Sequence, residues 1–273
     1  MLPRMAYLRV DASSLLAPLR SELVSLLAGL SAGEWMLATA CPGWPVHGVA
    51  SHLLGVELGN VSVRRDCWGL RPGEHEDPGA WLNAFNHQWV EAARRISPPL
   101  LIELLEVAAR RFEQHVASLD LDALGGPVEW ATGPDPAPVW LDVAREYMER
   151  CIHQQQIRSA AGRPGLGARF VGPVLAAAAH ALPTALRGLP RPAGTTVAFT
   201  AAGPGGGTWH LVRTAAGWEL GAGPPAQPPS CEVATTVDGA IKLYARDPAA
   251  PQLRRRGDPE LAEALATARA VLG

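Results

Sequence analysis

A chain of 273 residues exceeds one average domain and fits one large domain or two ordinary ones. Apolar residues make up 48% of it, which supports a packed core and excludes disorder as the default state. A formal net charge of -2 and a pI near 6.4 exclude the basic surface that nucleic acid requires.

Residues 11 to 31 read as a helix. Leu15, Leu16, Leu19, Leu23, Leu26, Leu27 and Leu30 recur at threes and fours, with Asp11 or Ser13 available as a cap and Ser31-Ala32-Gly33 as a stop. Cys41-Pro42-Gly43-Trp44-Pro45 is a stiff turn, and a second helix is expected from Val46, with Pro45 in its first turn, to about Cys67. Residues 69 to 79 read as loop. Helical pattern resumes from about Pro78 to Ile96, breaks at Ser97-Pro98-Pro99, and continues from Pro98 to about Leu119. Gly125 to Pro138 reads as loop, and a further helix runs from Val139 to about Ala161, stopped by Gly162-Arg163-Pro164-Gly165. Residues 1–165 thus form an expected antiparallel helix bundle.

The remaining residues, 166–273, change character. A helical stretch from 171 to 188 precedes short β-rich runs at 195–200, 208–214, 217–221 and 231–236, with helices expected at 237–246 and 259–272. Asp258-Pro259 is a good helix start. This half reads as a small α+β domain. The Arg254-Arg255-Arg256 run reads as a solvated face.

Other features narrow the setting. Cys41, Cys67, Cys151 and Cys231 form no CxxC pair, and Lys242 is the only lysine, a bias suited to a GC-rich bacterial genome. The first residues show no signal peptide, and the apolar stretch from Val171 to Leu189 is broken by Pro173, His180 and Pro183. The expectation is a cytoplasmic protein with reduced thiols, no membrane segment and no nucleic-acid partner; the oligomeric state is open.

Glu149 and His153 stand four apart, so on a helix they lie on one face and both reach a single metal ion. Spacing alone does not separate this from a surface Glu–His pair. His52, among Val46, Val49, Leu53 and Val56, is a candidate third ligand or a hydrogen-bonded core histidine. His47 is poorly placed to join it, and His87 with Glu91 form a competing pair. Cys41 and Cys151 read as buried, inert thiols. Trp35, Trp44, Trp81, Trp89 and Trp140 read as packing between helices.

Three stretches taken together resemble the mycothiol-dependent maleylpyruvate isomerase family, within the wider DinB-like metal-binding helical bundles. They are Cys41-Pro-Gly-Trp-Pro-Val46 leading to Ala50-Ser51-His52-Leu53; Trp81-Leu82-Asn83-Ala84-Phe85-Asn86; and Glu149-Arg150-Cys151-Ile152-His153-Gln154-Gln155-Gln156-Ile157-Arg158. The resemblance covers about residues 10 to 165; the rest resembles the family's sterol-carrier-like α+β domain in layout. It implies a divalent metal, zinc by preference, on His52, Glu149 and His153. Where the family usually has an acidic residue three after the second histidine, this chain has Gln156.

Two imidazoles and one carboxylate leave a metal position open, as catalytic zinc sites do. The resemblance implies that a low-molecular-weight thiol, mycothiol or an analogue, occupies it and attacks a small electrophilic substrate, giving isomerisation or S-transfer. Arg246 is a weak candidate for holding a substrate carboxylate. The alternatives are a hydrolase using bound water, and a non-enzymatic lipid- or partner-binding protein with a structural metal.

Overall fold

The computed structural model describes residues 8–69, 77–221, 223–225, 227–244 and 252–270, so Arg246 and most of the expected 69–79 loop lie outside the described residues. Two compact units share the chain. Among the described residues, one comprises 12–120 and 149–166; the other comprises 8–11, 121–148 and 167–270.

The first unit is a helix bundle. A 3-10 turn, Ser13–Leu15, leads into α1, Leu16–Ala28, which buries Leu16, Leu19, Leu23, Leu26 and Leu27. The cap positions are Ala12 for the turn and Leu15 for α1 rather than the expected Asp11 or Ser13, and neither makes a side-chain cap hydrogen bond. Helix α2, Val46–Asn60, starts directly after Pro45, which is its cap residue rather than part of its first turn. It gives way to a π-helical turn, Val61–Arg65, short of the expected end at Cys67. The amide of Asp66 reaches back to the Val61 carbonyl, five residues away, and Cys67 with φ 57° ends the spiral.

Helix α3, Pro78–Ala93, is capped by Asp77, whose carboxylate accepts the Ala80 amide at 2.7 Å. Helix α4, Pro98–Ala117, turns Leu101, Leu105, Ala108, Ala109, Phe112 and Val116 inward. Of these, Leu101, Leu105 and Ala108 pack with Trp35, Val46, Val49, Leu53, Leu54 and Ile157 in one core cluster.

Gly55 in α2 marks a close approach. A Cβ there would lie 2.6 Å from Trp89 Cδ1, and the Trp89 indole N–H donates to the Ser51 carbonyl at 2.7 Å. Alanine normally improves a helix interior by about 0.5–1 kcal/mol over glycine. Here Gly55→Ala is expected to destabilise by about 1–3 kcal/mol through overpacking. Urea unfolding reads the sign directly, and a stabilised variant would show that Trp89 yields freely.

The second unit contains the sheet. Where a loop is expected from Gly125 to Pro138, β1 (Leu124–Pro127) and β2 (Pro136–Pro138) pair as a short antiparallel ribbon around a single turn of helix, α5 (Glu129–Thr132). Prolines lack the N–H that a ladder needs, so such a ribbon is irregular and its sequence looks like loop. Helix α6, Val139–Ala160, contributes its first ten residues to this unit and the rest to the bundle. The expected helix near 171–188 is α7, Ala168–Ala178, a 3-10 turn over Ala179–Ala181, and α8, Leu182–Leu186.

Strands β3 (Thr196–Ala202), β4 (Gly207–Arg213), β5 (Trp218–Leu220) and β6 (Cys231–Thr236) fall on the four β-rich runs. Helix α9 (Val237–Tyr244), strand β7 (Arg254–Gly257) and helix α10 (Pro259–Ala266) complete the fold. The sheet order is β5-β4-β3-β6-β7, with β3 and β6 parallel and the other pairs antiparallel. Val197, Phe199, Leu211, Cys231 and Val233 are buried, as are Tyr244, Leu261 and Leu265 of the helices. The arginine run is exposed, as expected of a solvated face, yet it forms the edge strand β7: Arg255 pairs with Glu263, and Arg256 lies 3.7 Å from Glu232. Among the described residues no helix is long and apolar enough to cross a membrane.

Candidate metal centre

The turn before α2 fixes where that helix begins. The Thr39 hydroxyl donates to the Trp44 carbonyl at 2.8 Å and accepts the Cys41 amide at 3.1 Å, while the Trp44 amide donates to the Cys41 carbonyl. Gly43 takes φ +77°, a conformation that favours glycine. Trp44 then lies against His52, with ring centroids 5.0 Å apart, and its indole N–H donates to His87 Nδ1 at 3.5 Å.

His52, one and a half turns into α2, is buried. Its Nε2 lies 3.2 Å from Glu149 Oε1. On α6, four residues on, His153 Nε2 lies 3.1 Å from the same Glu149 oxygen. The two imidazoles meet edge to face, with centroids 4.7 Å apart. One ligand atom from each of the three residues falls within 4.8 Å of the others. Two donors bound at about 2.1 Å to one tetrahedral ion are roughly 3.4 Å apart. The Nε2–Oε1 separations are close to that, and the donor set of two imidazoles and a carboxylate suits a divalent ion of the zinc kind. The two imidazoles are largely buried, while the Glu149 side chain keeps 28% of its surface exposed.

Two further contacts hold this arrangement. His153 Nδ1 lies 2.7 Å from Gln156 Oε1, one turn along α6, and Cys41 Sγ donates to the same oxygen at 3.1 Å. Arg150, beside Glu149, makes a bidentate pair with Glu57 on α2, at 2.7 and 2.8 Å, and its guanidinium stacks over Phe112 at 4.4 Å. Both charged side chains are buried. This pair joins the two helices that carry the three side chains.

The other sequence candidates go elsewhere. His47 Nε2 faces the Ile96 carbonyl at 2.9 Å, and Ser51 contacts its Nδ1. His87 accepts from Trp44, while Glu91 pairs with Arg94, so that pair does not converge. Cys151 is buried, as expected. Cys41 is only half-buried and sits 3.8 Å from His153 Nδ1, which departs from its reading as a buried, inert thiol. Asn86 is half-buried on α3. Gln156, Cys41 and the Glu57–Arg150 pair were not legible as support. Gln156 alone carried a signal, its position one turn beyond His153.

Charge inside the trio is divided unevenly. Burial pushes His52 below its ordinary value, partly offset by Glu149. Burial also acts to lower His153, but the Glu149 carboxylate overrides it and leaves the imidazole raised to about 10. Burial acts to raise Glu149, and the two histidines override it, holding the carboxyl well below 4.5. In the metal-free protein, the raised His153 value adds stability that is complete below its ordinary 6.5 and lost as pH rises toward about 10. The lowered His52 value removes stability as pH falls below 6.5, and the Glu149 contribution fades further into acid. The trio's own contribution to the stability of the chelator-treated protein is therefore expected to be greatest near pH 6.5. The melting temperature of that protein should fall toward pH 10, with a shallower fall in His153→Gln; equal slopes in the two proteins would rule out this charge assignment.

Comparison with known proteins bears on the whole arrangement. A search of curated proteins gives no match. Two solved structures are similar: the crystal structure of a mycothiol-dependent maleylpyruvate isomerase with one histidine-to-alanine mutation (TM-score 0.55, 11% identity) and that of the mycothiol-dependent maleylpyruvate isomerase (TM-score 0.53, 13% identity). Each covers 88% of this chain and 90% of its own, and at these identities the likeness is one of fold. The family described as mycothiol maleylpyruvate isomerase N-terminal domain matches residues 16–158, more than half of the chain, and it spans α1 to α6 with all three side chains of the trio. The chain belongs to the mycothiol maleylpyruvate isomerase N-terminal domain family.

Proposed function

We propose that this protein is a metal-dependent, thiol-dependent isomerase of small electrophiles, with zinc held by His52, Glu149 and His153 and a low-molecular-weight thiol, mycothiol or an analogue, as co-substrate. The observation that carries the reading is the meeting of two imidazole nitrogens from different helices on one carboxylate oxygen. When bound, a divalent ion supplies Lewis acidity that makes a coordinated thiol a thiolate at neutral pH.

The chain's own residues have separable parts in this. Glu149 offsets part of the ion's positive charge and offers one oxygen to both imidazoles. Trp44 covers one side of His52 and keeps water from it. Arg150 and Glu57 keep α6 in register with α2, so the donors from the two helices stay aligned. Cys41 faces Nδ1 of His153, the ring atom away from Glu149, which leaves the nucleophile to the exogenous thiol. We assign this chemistry to the helical part, residues 1–165, and leave residues 166–273 as an α+β domain without an assigned step.

The test uses the full chain, reconstituted with zinc and given mycothiol and maleylpyruvate, with loss of the cis substrate followed optically. Turnover that requires both zinc and thiol supports the proposal. Turnover that requires zinc but no thiol favours a hydrolytic reading. No turnover with any small thiol or cis-unsaturated acid would refute the isomerase assignment.

A further inference from the structure

The chain carries an uncharged support for His153 where a carboxylate would be the simplest choice. His153 Nδ1 and Cys41 Sγ lie 2.7 and 3.1 Å from one atom, the Oε1 of Gln156. An imidazole can present Nε2 to a metal only if its other ring nitrogen carries the proton, and an acceptor at that nitrogen fixes both tautomer and ring plane. Gln156 supplies that acceptor. An amide, unlike a carboxylate, is two-faced: rotated by half a turn it would point an NH2 group at Nδ1–H, donor against donor. Something has to select the orientation.

We infer that Gln156 is the positioning residue for His153 and that the Cys41 thiol, converging with Nδ1–H on the same oxygen, reinforces the orientation of the Gln156 amide. The inference rests on the proposed metal site and deepens it. Sequence placement supports the two roles. Gln156 is three residues beyond His153 on α6, where side chains meet. Cys41 comes from the turn that opens α2, whose backbone is tied by Thr39 and so holds the sulfur in place. The thiol therefore has a task although it is no nucleophile: its S–H donates to an oxygen that an inverted amide would withdraw. One turn of chain thus fixes the start of the helix carrying His52, and its cysteine acts through Gln156 on the ring of His153. The neutral amide also leaves the imidazole a weaker electron donor than a carboxylate would, so Gln156→Glu is expected to tighten metal binding.

The experiment measures zinc affinity by competition with a chromophoric chelator, and the visible spectrum of the cobalt-substituted protein, for the full chain and for Gln156→Leu, Gln156→Glu and Cys41→Ala. Gln156→Leu is expected to weaken zinc binding about 10–100-fold and to alter the cobalt bands, with the melting temperature of the chelator-treated protein unchanged. Gln156→Glu should bind at least as tightly as the parent, and Cys41→Ala should lose affinity by a smaller factor than Gln156→Leu. Should Gln156→Leu fail to fold, Gln156→Asn, which withdraws the same amide by one methylene, carries the comparison and is expected to lose affinity. Zinc affinity and cobalt bands equal to the parent in folded Gln156→Leu, or in Gln156→Asn, would overturn the inference while leaving the metal site intact. Parent protein that binds neither ion would overturn the metal reading itself, and this inference with it.

Discussion

His153→Ala and His52→Ala are each expected to take the purified protein from about one zinc per chain to almost none, and to abolish thiol-dependent turnover. Each substitution removes one of three donors, and the remaining imidazole and carboxylate no longer close a site on a divalent ion. Because His52 is on α2 and His153 on α6, a matching loss in both variants ties the ion to two helices at once. Elemental analysis after dialysis against zinc gives the result, and circular dichroism in the presence of chelator shows whether the bundle is intact. Wild-type protein that stays metal-free, or variants that hold as much zinc as the parent, would refute the ligand set. Glu149→Gln offers an intermediate case: the oxygen remains but its charge does not, so binding should weaken without vanishing.

The second large effect is on stability. Glu57→Leu or Arg150→Met, made singly, is expected to cost about 3–5 kcal/mol, because each takes from a buried charge its short, bidentate partner. The contacts are short and bidentate, and both side chains are buried. A cavity of about 20 Å³ touches both residues together with Phe112 and Gln154, which is room for one water to soften the loss. The double variant is expected to regain most of the stability, since two apolar side chains of similar volume remove the desolvation cost along with the attraction. Urea denaturation of the four proteins forms a complete cycle. Single variants within about 1 kcal/mol of the parent would mean that the pair is solvated and contributes no more than a surface ion pair.

Periodicity and punctuation made the bundle legible. The leucines of α1, the Pro98 break before α4 and the glycine-proline stop after α6 are local signals, and each acts within a few residues. The composition of β3 to β6 was legible for the same reason. Strand β7 was not, because three consecutive arginines read as a charged surface, and only pairing with β6 turns them into an edge strand. The ribbon of β1 and β2 is likewise made by pairing and not by propensity.

The trio was legible in part. The spacing of Glu149 and His153 placed them on one face, but His52 could be joined to them only through likeness to a family, since 97 residues separate it from Glu149. The support around the trio was hidden more deeply. Arg150 and Glu57 are 93 residues apart, and nothing in either local context marks the other as its partner. Cys41 and Gln156, separated by 115 residues, read as an inert thiol in the turn and as the position where the family usually has an acidic residue, and neither pointed to the other.

That long separation has a mechanical side. An ion gripped by His52 and Glu149 cross-links the chain across 97 residues, so any unfolded state that kept it would have to close a loop of that size. Loading the site therefore acts on the disordered chain as well as on the native one, and metal-loaded protein should resist proteases at sites far from the ion, including in α3 and α4, which the loop encloses.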